Sequence, residues 1–96
     1  MQPDVEVNFE FVIDKKIKNG YRPAHLIKKD YLTTGVHNYF DNEDCDGITK
    51  GTITFISPED YPGSLWEGKR IEMYEGSKLI GYAIIIKILN TILEKK

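Results

Sequence analysis

Ninety-six residues, 41% of them hydrophobic and 29% charged, have the composition of one ordinary globular domain, because two cores drawn from so short a chain would each be too small to stand alone. The formal net charge of −2 excludes the basic excess that marks a nucleic-acid-binding chain. A single cysteine, Cys45, excludes an intramolecular disulfide and sets the expectation of a reducing, cytoplasmic home.

The N-terminal "MQPDVEVNFE" has no basic stretch followed by an apolar one, so no signal peptide is expected. Val5, Val7, Phe9, Phe11 and Ile13 then alternate with Glu6, Asn8 and Glu10, the period of a half-buried strand. Asn19-Gly20 marks a turn. Pro23 biases Arg22 toward extended backbone, so a second strand is expected through "AHLI". "TTGVHNYF" reads as a third strand, closed by the acidic turn "DNEDCDG", and the β-branched "TKGTITFI" as a fourth. "SPEDYPGSLWEG", with two prolines and two glycines, reads as a loop, and "KRIEMYE" alternates again.

The closing stretch "EGSKLIGYAIIIKILN" admits two readings. As a helix it would carry an apolar stripe of Ile85, Ile88, Leu89, Ile92 and Leu93. Against that, the crowded isoleucines are stiff at χ1 and resist a helical turn, and "EGS" sits between two apolar runs as a hairpin connection does. Residues 79–89 are therefore expected to be a strand, with a short helical tail allowed beyond Asn90. The longest apolar run, residues 79–86, has eight residues where a membrane span needs about 20, so no membrane partner is expected. Six strands in one small domain point to a closed barrel or a sandwich, and closure has the merit of removing exposed edges.

Three stretches, "GYRPAHLI", "LWEGKRIEMYEG" and "SKLIGYAIIIKIL", together resemble the C-terminal (third) domain of elongation factor Tu. The features that carry the resemblance fall at Gly20, Tyr21, Arg22 and Pro23, then at Gly68, Glu75, Gly76, Gly81 and Lys87. They cover about residues 5–89. The resemblance implies an all-β, six-stranded antiparallel barrel of Greek-key type, formed as a single domain over residues 1–96 with a short tail at 90–96. It also has limits. Where that family carries an Arg before the Glu-Gly and a Gly-Arg pair after it, this chain has Tyr74, Ser77 and Lys78. In the family this hairpin helps hold the T-stem of aminoacyl-tRNA, and Lys replaces Arg poorly in planar, two-point phosphate contacts. No G-x-x-x-x-G-K-[ST] loop occurs, so GTP binding of that kind is excluded.

The residues offer little chemistry. Asn42, Asp44, Asp46 and Gly47 match the opening of a calcium loop, but its twelfth position is Ile53 instead of a bidentate Glu. His25, His37 and Cys45 lack the paired short spacing of structural zinc sites and read as ordinary hydrogen-bonded residues. Cys45 sits among Glu43, Asp44 and Asp46, which raise a thiol's pKa and blunt it as a nucleophile. Asp30, Thr33, Thr34 and Ser77 show no triad spacing, and Glu59-Asp60 reads as a solvated pair. No catalytic residue, metal or cofactor is expected.

What remains is binding. Arg22 suits either an internal stacked role or a partner contact. With Lys28, Lys29, Lys69, Arg70 and Lys78 it makes a candidate basic face. Tyr61, Leu65 and Trp66 lie in the long loop, and loop aromatics are enriched at protein-binding surfaces; the competing reading folds Trp66 back to plug one barrel end. The expected partner-binding residues are Arg22, Tyr61, Trp66, Tyr74, Gly76 and Lys78. The expected partner is a protein, in the manner of a mimic, sequestering factor or immunity protein, with a tRNA stem as the alternative.

Overall fold

The alternating apolar positions converge on one interior. The computed structural model describes residues 2–12, 19–29, 31–40 and 48–95. Within them lie six strands, β1 (Val5–Phe11), β2 (Ala24–Lys28), β3 (Tyr31–Tyr39), β4 (Ile48–Phe55), β5 (Arg70–Glu75) and β6 (Lys78–Ile88), and two short 3₁₀ turns, Pro58–Asp60 and Thr91–Leu93. Every neighbouring pair is antiparallel, and the order β1-β4-β3-β2-β5-β6 closes into a barrel. Strands β2, β3 and β4 follow one another as neighbours while β1 returns beside β4, which is Greek-key connectivity. The closing stretch is thus a strand, β6, and the allowed helical tail is the single turn Thr91–Leu93.

Because side chains alternate across a strand, one set points inward. Val5, Val7 and Phe9 meet Ile27, Tyr39, Ile53, Phe55, Ile71, Met73, Ile80, Ala83 and Ile85, all buried. Burial of each large apolar side chain contributes about 1.5–3 kcal/mol. Strict alternation breaks where the register shifts, between Glu6 and Val7, Leu26 and Lys28, and Met73 and Tyr74. Such bulges bend strands and help a small sheet curl closed. The unbroken "AIII" run itself keeps the alternation: Ala83 and Ile85 face in while Ile84 and Ile86 lie half-buried outside.

The loop from β4 to β5 corrects two expectations. Tyr61 is buried rather than offered to a partner, packing edge-on against Phe55 at 5.9 Å and tilted against Tyr31 at 5.5 Å. Trp66 is no plug: it is 44% exposed, and Leu65 beside it is the residue that enters the core. The sequence of the loop hid this inversion, because both residues are large and apolar and only the loop's path decides which turns inward. The tail holds that path. Leu65 N–H donates to the Leu93 carbonyl at 2.9 Å, Lys95 N–H to the Leu65 carbonyl at 2.7 Å, and Gly63 N–H to the Ile92 carbonyl at 2.8 Å. The tail thereby docks on the chain's own loop, and Leu93 is buried.

Asp4, just ahead of β1, joins three parts of the barrel. Its carboxylate accepts from Phe55 N–H at 2.6 Å and from the Asn90 side-chain amide at 2.8 Å. Its carbonyl accepts from Leu89 and Asn90 N–H at 2.9 and 3.0 Å. Asp4→Ala strips both side-chain bonds and leaves the Phe55 N–H buried without an acceptor, so it should cost about 3 kcal/mol. The check is the urea midpoint: a variant unfolding within error of wild type would mean that Asp4 does not clamp the barrel.

Candidate binding face and a buried histidine pair

Two of the expected binding residues come together. Tyr74 ends β5 and Gly76 starts the two-residue turn into β6, where φ is +65°, a conformation that glycine adopts without strain. With Leu26, Lys29, Leu32 and Ser77 they line one open groove of about 570 Å³ on the outside of the barrel. Antiparallel pairing of Ala24 with Tyr74, and of Leu26 with Leu32, sets these side chains beside one another. Leu32 is 54% exposed, a large apolar group left open to solvent. Lys78 is exposed at the same hairpin, and Arg22 is exposed on the segment leading into β2. That segment lies by the hairpin: burial, and then the nearby Glu75 carboxylate, raise the pKa of Tyr21, next to Arg22.

The remaining expected residues lie elsewhere. Tyr61 is in the core, as above. Trp66 is on the surface, but the ammonium groups of Lys69 and Lys95 already lie over its ring, 4.4 and 5.1 Å from the centroid. Lys69 is committed a second time, donating to the carbonyls of Ile27 at 2.6 Å and Ser64 at 3.0 Å, and burial lowers its pKa. It is a tie beneath the loop and no part of a basic face. Arg70 stacks on Tyr82 at 4.0 Å and Lys28 lies 5.4 Å over Tyr31. Of the six basic residues grouped in the sequence, Lys28, Lys69 and Arg70 are therefore drawn into separate contacts. The acidic turn at 42–47, with Cys45, lies outside the described residues, and among those residues no cluster of three or more His, Cys, Asp or Glu could hold a metal ion.

Inside the barrel the two histidines do meet. His25 of β2 and His37 of β3 are both fully buried, and their Nε2 atoms are 2.7 Å apart. His25 Nδ1 lies 3.3 Å from the Thr33 carbonyl, and His37 Nδ1 lies 2.7 Å from the Tyr39 hydroxyl. The direction of every proton follows from one end. A carbonyl can only accept, so His25 carries its proton on Nδ1 and presents Nε2 as an acceptor. His37 must then donate from Nε2, which leaves its Nδ1 to accept from Tyr39. Four groups are satisfied by one run of donation, Tyr39 to His37 to His25 to Thr33. The rings sit among Phe9, Phe11, Tyr21 and Phe55, and Gly35 makes room: a Cβ there would meet His25 Cε1 at 3.0 Å and Ile53 Cγ2 at 2.6 Å.

The sequence reading of these histidines as ordinary hydrogen-bonded residues misses only that they bond each other. Shared parity with Ile27 and Tyr39 was the available signal, since inward residues of one strand recur every second position. Sealed from solvent, the pair has no access to a substrate. Searched against protein-family models and curated proteins, the sequence finds no match in either.

Burial pushes His25 down to about 4, with the Thr33 carbonyl opposing in part, and burial followed by the neighbouring His25 pushes His37 well below its ordinary value. Between pH 6.5 and about 4 an unfolded chain takes up protons that the folded one refuses, so the stability is complete above 6.5 and drains away as pH falls. For His25 alone the loss by pH 4 is about 3 kcal/mol. Urea midpoints measured across this range should fall with pH in the wild type and fall less steeply in His25→Gln. Equal slopes would show that the pair is not buried neutral.

Proposed function

We propose that this barrel is a non-catalytic, protein-binding module whose working face is the groove of Leu26, Lys29, Leu32, Tyr74, Gly76 and Ser77. The observation that carries the reading is the exposure of Leu32 in a concave, otherwise polar-rimmed surface, because apolar side chains left open in a concavity mark interaction sites. The interior supports it from the other side. Six strands leave room only for their own side chains, here filled by the buried residues of the core. The resemblance to the third domain of elongation factor Tu leads in the same direction. A barrel of that type without a GTP-binding loop acts as a mimic or a sequestering factor, of the kind an immunity protein would be, by occupying what docks on such a surface.

A tagged wild-type barrel and its Leu32→Asp variant, each used to capture proteins from lysate with and without RNase, test this. Capture of a protein that survives RNase and is lost with Leu32→Asp is the expected result. Binding that vanishes with RNase and falls steeply with salt, as phosphate contacts require, would replace the reading with tRNA-stem recognition.

A further inference from the structure

The groove's charges are arranged unequally. Of the neighbouring carboxylates, Glu72 accepts from the Tyr74 hydroxyl, and Glu75 lies close enough to the Tyr21 phenol to raise its pKa. The Glu72 bond is the main cause of the raised Tyr74 pKa. By contrast, among the described residues Lys29 in the groove wall and Lys78 beyond Ser77 have no ion-pair partner. An apolar floor of Leu26 and Leu32 thus lies next to two ammonium groups that no described carboxylate pairs.

Resting on the binding reading above, we propose that the groove takes a peptide segment in which a large apolar residue is closely followed or preceded by Asp or Glu. The apolar side chain covers Leu32 and Leu26 against the Tyr74 ring, and the carboxylate reaches Lys29 or Lys78. Two features select a peptide over a phosphate polymer. Covering an exposed leucine with a polar backbone gains nothing from its burial, and two lysines give only a shallow electrostatic footprint. Barrel closure adds a constraint, because each strand is paired on both sides. A closed barrel offers the segment little edge to join as an added strand, so side chains carry most of the recognition.

The test is a random peptide library displayed on phage and selected on the wild-type barrel. Selected peptides are synthesised and titrated by fluorescence anisotropy against wild type, Leu32→Asp and the double variant Lys29→Glu/Lys78→Glu, whose exposed positions leave the core untouched. The expected result is enrichment of an apolar residue beside Asp or Glu, with affinity weakened about tenfold or more, near 1.4 kcal/mol, by either variant. Selection on the double variant should turn the preference toward Lys or Arg. Apolar peptides with no acidic bias, lost with Leu32→Asp but indifferent to charge reversal, would overturn the inference and leave the binding reading standing. Failure to enrich any peptide would also overturn it, and the capture experiment on Leu32→Asp then decides the binding reading separately.

Discussion

The pairing of β1 with both β4 and β6 is the contact through which the sheet becomes a barrel. A strand with a partner on each side has no free N–H or C=O row, and when this holds for all six strands the molecule has no edge. Closure then dictates the rest. The inward half of every strand must fill a narrow interior, and the outward half must carry whatever the molecule does. Asp4 stands at this junction, fastening the start of β1 to the end of β4 and to the residues that leave β6. One carboxylate, buried and fully bonded, ties together segments that lie far apart in the chain.

A filled interior could have been wholly apolar, and this one is not. Two imidazoles and a phenol occupy space that three hydrocarbon side chains would fill without any need for partners. They are tolerated because the run of donation ends on a backbone carbonyl, so each polar atom of the run has a partner. The same arrangement has no site for an extra proton. Around the rings stand Phe9 of β1, Phe55 of β4 and Tyr21 ahead of β2. A neutral network of this kind is stable only while it stays dry and neutral.

The strands were legible because their cause is local: alternation in residues 5–11, branching at Cβ in residues 48–55, and the glycine turn ahead of β6 all act within a few residues. The resemblance in sequence supplied the closure, which the structure bears out as a six-stranded antiparallel barrel. What stayed hidden depends on register or on the path of a loop. Asp4 precedes the alternating run and gives no local sign that Phe55 and Asn90 will come to it. His25 and His37 are separated by a turn, and only the pairing of β2 with β3 shows that they share an interior. Tyr61 lies in the core instead of at its expected place on the surface, and Leu65 enters the core beside an exposed Trp66, because the tail at residues 92–95, not the loop's own composition, sets the loop's path. Of the groove, Tyr74 and Gly76 were anticipated from the hairpin, whereas Leu26 and Leu32 were missed, having read simply as strand residues.

The one-way run of hydrogen bonds from Tyr39 to Thr33 also acts as a check on strand alignment. A slip of β2 by one residue against β3 would turn His25 and Ile27 outward and bring Ala24 and Leu26 in, an exchange that a purely greasy interior would barely notice. Here it would strand the Nε2–H of His37 against methyl groups, at a cost of about 1–3 kcal/mol for an unanswered buried donor. The histidines therefore distinguish the correct barrel from its nearest misaligned rivals, and their contribution lies in making one topology unique more than in making it strong.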